Sequence, residues 1–325
     1  MKKLLALILV FVLLFSLISC NDEPPTPNDG DTTNDGGTTG GTEDTPPATD
    51  DGGTTNGGGT TDGDENASTS PAANPVTDFE YSYSERYGGI GITKYVGTSK
   101  SIVFPEEIEG QPVKIIGGYL LDHFEMRPFL ESVVIPDTVE IIADMTFSDC
   151  VSLVSVDFGN GVLEIGYEAF RGCKALKKII LPPKLERIGT NAFFGCSSAT
   201  EIFIPKSVKT WEYDTSKGTF SGCTSLKKLT FEEGLEQIGY WSTFMGAEAL
   251  EQVEIPASVK KIAPLAFNCC PSLTTVVFKG DAPDVEEGYV FGYQEFNENL
   301  VIYYDPNTEG WQDTLLHHYT LKPID

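Results

Sequence analysis

The sequence predicts a repeat solenoid, in which short parallel strands stack into a curved sheet that is capped at both ends. Three observations support this fold class: a unit of about 23 residues recurs, apolar residues alternate along one segment of each unit, and a phenylalanine returns at the same place in six units. Alternation is typical of a strand with one buried face. A unit this short buries that face only by stacking on its neighbours, so the repeats predict one continuous core.

Residues 1–19 have the pattern of a lipoprotein signal peptide. Two lysines precede an apolar run from Leu4 to Ile18, which is shorter than the about 20 apolar residues of a membrane span. Residues 17–20, Leu-Ile-Ser-Cys, resemble a bacterial lipobox. That resemblance implies that Cys20 carries the lipid and anchors the mature chain in a membrane. An ordinary cleaved signal followed by a chance cysteine is the alternative.

Residues 20–78, which begin at the acylated cysteine, are predicted to form a disordered linker. They consist mainly of Thr, Gly, Asp, Asn and Pro, without an aromatic residue and with almost no branched aliphatic one. Such a segment buries too little surface to offset the entropy of ordering. Random-coil scaling gives it a reach of roughly 40 Å, enough to carry a domain clear of a lipid headgroup layer.

The chain is strongly acidic, with a formal net charge of −26. Thirteen acidic residues and no basic residue lie between Asp22 and Asp78, and residues 79–325 carry a net charge of −15. A nucleic-acid partner is therefore not expected, because a duplex binder needs clustered Lys and Arg.

The repeat units align on the residue that opens each unit. The spacings between these residues are 23, 23, 23, 27, 24 and 23. The opening residues are Leu130, Leu153, Leu176, Ala199, Leu226, Leu250 and Leu273. Each unit runs Leu-x-x-Ile/Val-x-Ile/Phe-Pro, then an aliphatic residue, then Ile-Gly/Ala, then Ala-Phe-x-x-Cys, and the unit from Leu176 to Cys196 shows the whole pattern.

These units resemble the BspA-type, or Treponema-type, leucine-rich repeat. The resemblance covers an N-terminal cap or degenerate first repeat at 79–129, repeats at 130–299 and a C-terminal cap at 300–325. It implies a leucine-rich repeat solenoid with a parallel sheet on the concave face, usually on secreted or surface proteins of bacteria and some protists. Prolines such as Pro136 and Pro182 stand near the position of the Asn ladder of commoner leucine-rich repeats. Short 3₁₀ or irregular convex segments are therefore expected instead of α-helices.

The repeat cysteines are predicted to be structural. Five of them lie three residues after the repeat phenylalanine, and Ala247 takes the same slot in the fifth unit. These five are Cys150, Cys173, Cys196, Cys223 and Cys270. A slot that accepts Cys or Ala suits a small buried side chain. A disulfide along the ladder or between Cys269 and Cys270, and a metal site, are the alternatives.

No motif predicts catalysis or a cofactor. The chain has three histidines, and it contains no Gly-x-Ser-x-Gly elbow, no phosphate-binding Gly-rich loop and no His-Glu-x-x-His. We therefore expect a non-enzymatic protein without a cofactor or metal.

Two surfaces are candidate binding sites. If Ile179 and Leu181 point inward, the alternate strand residues lie on the concave face. The candidates on that face are Val134, Asp157, Lys178, Ile180, Glu201, Phe203, Lys228 and Glu254. The second surface is an aromatic edge cluster formed by Tyr213, Tyr240 and Trp241, where units four and five carry four and one extra residues. Ordinary strand composition and local packing are the alternative explanations.

The expected function follows from these features and from the resemblance. We expect a surface lipoprotein, in the outer membrane of a Gram-negative source, whose repeat domain binds a host matrix protein or a bacterial surface protein. A glycan-binding accessory protein and a structural envelope protein without a specific ligand are the alternatives.

Overall fold

The computed structural model describes residues 71–117, 127–212, 218–285, 289–292 and 298–324. The chain from Pro71 to Asp325 forms one compact unit. The predicted signal peptide, Cys20 and the linker up to residue 70 lie outside the described residues. Of the helices in the described ranges, none has the length and apolarity needed to cross a membrane.

An antiparallel hairpin, β1 (Phe79–Ser84) and β2 (Gly89–Tyr95), covers the N-terminal end of the repeats. A second turn joins β4 (Glu107–Ile108) to β5 (Gln111–Ile116), and Gly110 adopts the positive φ of 74° that this turn requires. The ring of Phe79 packs against Tyr95 and Phe104 at centroid distances of 5.5 and 5.4 Å. The hairpin therefore closes the core where no further repeat covers it.

The folded unit begins eight residues before the predicted boundary at residue 79. Asn74 donates its backbone N–H to the carbonyl of Val103 at 2.9 Å and accepts the N–H of Val103 on its side-chain oxygen at 2.8 Å. A 3₁₀ turn, Val76–Asp78, follows. These bonds satisfy a strand edge that would otherwise be open.

Each repeat contributes one strand of three or four residues to a surface that we call the long-strand face. Ile179, with no exposed surface, lies between the exposed Lys178 and Ile180, as the alternation predicts. The strands of this face are β3 (Ser101–Val103), β6 (Ser132–Val134), β8 (Ser155–Asp157), β10 (Lys178–Ile180), β12 (Glu201–Ile204), β14 (Lys228–Phe231), β16 (Gln252–Ile255), β18 (Thr275–Phe278), β20 (Val301–Tyr304) and β21 (Thr320–Pro323). Neighbouring strands pair in parallel within three ladders, β3-β6-β8, β10-β12-β14 and β16-β18-β20-β21.

A second surface, the short-strand face, consists of two-residue strands that follow the proline turns. They are β7 (Ile141–Ile142), β9 (Glu164–Ile165), β11 (Arg187–Ile188), β13 (Thr210–Trp211), β15 (Gln237–Ile238), β17 (Lys261–Ile262) and β19 (Asp284–Val285). The ladder order is β1-β2-β5-β7-β9-β11-β13, followed by β15-β17-β19. The second residue of each strand is buried, and Trp211, which takes this slot in β13, is 5% exposed and belongs to the core.

The third side of each unit is a run of turns around the repeat phenylalanine. Each run bonds to the next, as where the Phe147 N–H donates to the Ala169 carbonyl at 2.7 Å. The described residues contain no α-helix, and 3₁₀ turns occur at Val76–Asp78, Arg127–Phe129 and Leu315–His318. The prediction of short irregular convex segments is therefore confirmed.

The predicted phenylalanine column forms the centre of the core. Successive rings from Phe147 to Phe267 stack with centroids 5.1 to 5.3 Å apart. The structure extends this column to Phe104 at one end and Phe291 at the other, at 6.4 and 5.5 Å. Ring pairs of this kind contribute about 0.5–1.5 kcal/mol beyond the area that they bury.

The five repeat cysteines are buried free thiols, as predicted. The thiol of Cys173 donates to the Phe147 carbonyl of the preceding unit at 3.2 Å, and Cys196 repeats this contact with Phe170 at 3.4 Å. Burial raises the pKa of the Cys223 thiol to about 12. Because Cys270 is free, a disulfide between Cys269 and Cys270 does not form.

Candidate binding surface

The long-strand face carries all eight residues that the sequence analysis placed on the concave face. Their side chains are exposed or half-buried, because each lies next to an inward-facing residue on a strand. One outward row joins Lys178, Glu201 and Lys228 on β10, β12 and β14, and the other joins Ile180, Phe203 and Thr230 on the same strands. The predicted rows are therefore present on these three strands.

The most exposed apolar residue of this surface is Ile180, whose exposed fraction is 48%. Its partner across the ladder is Phe203, which is half-buried. We call these two residues the apolar pair. Valine, isoleucine and aromatic residues favour strands in general. The apolar pair is distinguished by the exposure of Ile180 and by the ions that flank it.

An ion triad lies beside the apolar pair. Glu201 accepts from Lys178 at 3.0 Å with one carboxylate oxygen and from Lys228 at 2.6 Å with the other. The hydrogen bond from Lys228, followed by that from Lys178, lowers the pKa of the Glu201 carboxyl. Exposed ion pairs contribute little to stability. Their effect here is to hold three long side chains along one row beside the apolar pair.

The parallel ladder of this face is interrupted at two places in the described part of the chain. No ladder joins β8 to β10 or β14 to β16. At the second interruption the surface opens into a groove of about 350 Å³, which we call the β14–β16 groove. The inward residues of β14, Leu229 and Phe231, are 7% and 6% exposed there, whereas Ile202 and Ile204 on β12 have no exposed surface.

Sequence reasoning did not identify the β14–β16 groove. It is lined by residues of β14 and β16 together with Lys227, Glu233, Pro256 and Lys279. The extra residue of the fifth unit lies between these two strands, but unit spacing does not predict the interruption, since β12 and β14 pair across four extra residues. The sequence analysis assigned that insertion to an aromatic edge instead.

The aromatic edge cluster is only partly described. Tyr240 is 46% exposed and Trp241 is half-buried, whereas Tyr213 lies outside the described residues. The Tyr240 backbone N–H donates to the Thr243 hydroxyl at 3.2 Å. The cluster of three therefore stays a prediction.

Within the described ranges, no group of three or more His, Cys, Asp or Glu side chains is arranged to hold a metal ion. Burial raises the pKa of the Cys173 and Cys196 thiols well above the ordinary value, and Glu201 and Glu254 on the long-strand face pair with lysines. What this surface offers is an apolar patch, ion pairs and a polar groove.

Comparison with known proteins agrees with the repeat architecture. A family model described as "BspA type Leucine rich repeat region" matches residues 121–217 and 214–298 in six copies. The T. pallidum leucine rich repeat protein is a structural neighbour at 25% identity and a TM-score of 0.50, with 62% of this chain and 91% of that chain covered. No curated protein matches the sequence.

A second neighbour is a leucine rich cell surface protein from Faecalibacterium prausnitzii A2-165. It is 31% identical with a TM-score of 0.53, and the match covers 65% of this chain and 56% of that chain. The present chain thus spans little more than half the length of that neighbour.

Proposed function

Because the chain belongs to the BspA-type leucine-rich repeat family, we propose that it is a non-enzymatic cell-surface lipoprotein whose long-strand face binds another protein. The partner is a host matrix protein or a protein on another bacterial surface. The observation that carries this proposal is the apolar pair next to the ion triad.

The chemistry of the long-strand face suits a protein partner. Protein interfaces combine a desolvated apolar centre with a polar rim, and aromatic residues are common among their strongest contacts. Ile180 and Phe203 would supply the centre, and Lys178, Glu201 and Lys228 the rim. The ion triad orders its side chains before binding, which lowers the entropy that association costs.

The proposed location rests on the start of the chain. The lipobox-like residues 17–20 favour acylation of Cys20, and multiple acyl chains anchor a protein firmly because each buried methylene contributes about 0.8 kcal/mol. The acidic segment after Cys20 would carry the repeats away from the membrane. The cell-surface description of the F. prausnitzii neighbour supports an outward-facing domain.

A capture experiment tests the binding surface. The full-length chain is immobilised and exposed to purified host matrix proteins and to isolated bacterial surface proteins. We expect capture of at least one of them, and loss of that capture in the double variant Ile180→Glu plus Phe203→Glu. The matched control is Leu163→Glu plus Leu315→Glu, since these leucines are 37% and 58% exposed and lie off the long-strand face. Equal capture by both double variants would contradict the proposal.

A glycan-binding function is the alternative, and the exposure of Tyr240 beside the insertion favours it. Exposed aromatic rings stack on sugar rings through their apolar faces. A glycan array with the full-length chain tests this alternative. A hit that disappears in Trp241→Ala would support it, and the absence of such a hit would remove it.

A further inference from the structure

We infer that a cluster of lysines at the start of the long-strand face binds an anionic polysaccharide, one that carries carboxylate or sulfate groups. We call this cluster the lysine edge, and its members are Lys174, Lys177, Lys178, Lys227 and Lys228. The inference goes beyond the proposed function, because it names a second ligand whose binding does not depend on the capture of a protein.

The first argument is where the basic residues of the chain lie. Residues 171–228 contain eleven Lys or Arg residues and four Asp or Glu residues, which gives them a net charge of +7. The remainder of residues 79–325 carries a net charge of −22. The repeats therefore have a basic middle between two acidic ends. A local concentration of lysines is typical of a surface that attracts an anionic ligand.

The second argument is that stacking of the repeats brings these lysines together at the surface. The Thr200 N–H donates to the Lys177 carbonyl at 2.9 Å, and the Lys227 N–H donates to the Thr200 carbonyl at 3.1 Å. Lys177 and Lys227 therefore lie on either side of Thr200, with Lys178 and Lys228 next to them at the start of β10 and β14. Two strand separations, about 10 Å, lie between the two pairs of lysines.

Most of the charge of the lysine edge is available to a ligand. Lys174, Lys177 and Lys227 have no carboxylate partner within the part of the chain that the structure describes. Lys178 and Lys228 share the one carboxylate of Glu201, so the lysine edge and Glu201 together carry a net charge of +4. At physiological ionic strength the Debye length is about 8 Å, so the acidic ends of the repeats are largely screened from this site.

The third argument is the chemistry between the lysines. Residues 197–201 lie between the two lysine-bearing segments, 174–178 and 224–228. Ala199 has no exposed surface, whereas three hydroxyl side chains of this segment are exposed or half-buried: Ser197, Ser198 and Thr200. A hydroxyl group both donates and accepts hydrogen bonds. This segment can therefore bind sugar hydroxyls while the lysines on both sides bind the anionic groups.

An anionic polysaccharide accounts for this surface better than an acidic protein or a nucleic acid does. A protein interface has a desolvated apolar centre. The exposed Val151 and Val154 lie in the segment that precedes residues 174–178, outside the lysines and not between them. A single-stranded nucleic acid stacks its bases on aromatic rings, and the lysine edge has none. A sugar ring is about as long as one strand separation, so a polysaccharide across the strands can place anionic groups at both pairs of lysines.

Fluorescence polarisation tests the inference with a labelled heparin oligosaccharide and the purified full-length chain. We expect saturable binding that weakens with added salt. Lys177→Gln plus Lys227→Gln should weaken this binding by about tenfold. The matched control is Lys184→Gln plus Lys322→Gln, since these two exposed lysines lie off the lysine edge and likewise have no ion-pair partner among the described residues. The control should bind as the parent does. No binding of heparin, or equal weakening in both double variants, would overturn the inference.

Glu201→Gln gives an expected change of the opposite sign. This variant removes the carboxylate between Lys178 and Lys228 and leaves both ammonium groups to the ligand. The affinity for heparin should therefore rise by about threefold or more. An unchanged or lower affinity would show that the lysine edge does not meet the ligand, and it would also overturn the inference.

Competition decides between the classes of ligand, with unlabelled heparin as the reference. Polyglutamate and double-stranded DNA, each supplied at the same concentration of negative charge, should displace the labelled heparin at least about tenfold less effectively. Displacement by polyglutamate that equals displacement by heparin would assign the lysine edge to an acidic protein. The same result with DNA would assign it to a nucleic acid, and either result would overturn the polysaccharide assignment.

Variants of the other two candidate surfaces separate this inference from the proposed function. Ile180→Ala plus Phe203→Ala should weaken protein binding and keep heparin binding, and Trp241→Ala should keep heparin binding as well. If heparin binding is lost in Trp241→Ala, the glycan belongs to the aromatic edge and the inference fails. If heparin binding depends on the lysines and no protein is captured, the proposed function fails alone.

Discussion

Ile180 on β10 lies directly opposite Phe203 on β12 in the parallel register of the long-strand face. Two residues earlier on the same strands, Lys178 lies opposite Glu201. Since side chains at positions i and i+2 of a strand share a face, the apolar pair and the ion triad form one patch. A surface patch of mixed chemistry therefore arises from three short strands of successive repeats, since Lys228 lies on β14.

Truncation of a ring in the phenylalanine column should destabilise the repeats strongly. Phe193 stacks between Phe170 and Phe220, each with its centroid 5.2 Å away, and has no exposed surface. Phe193→Ala should lower the free energy of unfolding by about 3–5 kcal/mol, because it leaves a cavity between the neighbouring rings. Urea unfolding followed by circular dichroism measures this change.

Phe129 provides the control for this prediction. It is 54% exposed, so Phe129→Ala should change the free energy of unfolding by less than about 0.5 kcal/mol. Equal losses in both variants would show that the column does not hold the repeats together.

The buried thiols should make stability fall in alkaline solution. Burial raises the pKa of the Cys223 thiol from 9.0 to about 12. Above about pH 9 the unfolded chain loses this proton while the folded chain keeps it, so the free energy of unfolding falls as pH rises towards 12. Between about pH 8 and pH 10 one such thiol accounts for a loss of about 1.4 kcal/mol.

Cys223→Ala isolates this contribution from other groups that titrate in the same range. Ala247 occupies the equivalent slot with no exposed surface, so the variant should fold. Urea unfolding near pH 8 and pH 10 should show a smaller alkaline loss in the variant than in the parent. An identical loss would mean that the thiol titrates alike in both states.

The ion triad should contribute more to the shape of the surface than to stability. Glu201 is bonded to two lysines, but Lys178 and Lys228 are largely exposed, at 66% and 68%. Glu201→Gln should therefore change the free energy of unfolding at neutral pH by less than about 1 kcal/mol.

The same variant should change how the stability of the protein depends on pH in acidic solution. The pKa of the Glu201 carboxyl is lowered by its hydrogen bonds to Lys228 and Lys178, so its contribution is present above the ordinary pKa of 4.5 and is lost as pH falls through the folded value. Thermal unfolding from neutral to acidic pH should show a slightly shallower acid loss in Glu201→Gln. A steeper acid loss would contradict the assigned shift.

The alternation of strand residues was predictable because it depends on one local rule. Ile179 and Leu181 are buried and Ile180 is exposed, as a period of two requires. The ring column was equally predictable, since repeats of equal length place Phe170 and Phe193 at equivalent positions of neighbouring units. Stacking then follows from translation along the solenoid.

The conformation of the turns was not predictable from glycine positions. Met145, Glu168 and Asn191 adopt positive φ values of 54°, 50° and 56°, although none is a glycine. Such backbone is uncommon for side chains of this kind. Bonds between repeats hold it in place, as where the Glu168 N–H donates to the Thr190 carbonyl at 3.0 Å. Those bonds come from the stacked neighbour and not from the local sequence.

The β14–β16 groove was also beyond sequence reasoning. The strands β14 and β16 alternate inward and outward residues as their neighbours do. Unit length does not decide whether adjacent strands form a ladder, because β12 and β14 pair across the four extra residues of unit four, whereas β8 and β10 do not pair at the ordinary spacing of 23. The interruption therefore appears only in three dimensions.

The central claim is that the apolar pair anchors a protein. The most direct test is the affinity of alanine variants for the captured protein partner. Surface plasmon resonance with the full-length chain should show that Ile180→Ala plus Phe203→Ala weakens the affinity by about tenfold or more, as expected for two central contacts. Leu163→Ala plus Leu315→Ala, which removes exposed side chains elsewhere, should leave the affinity unchanged. An affinity that the first variant does not change would contradict the account.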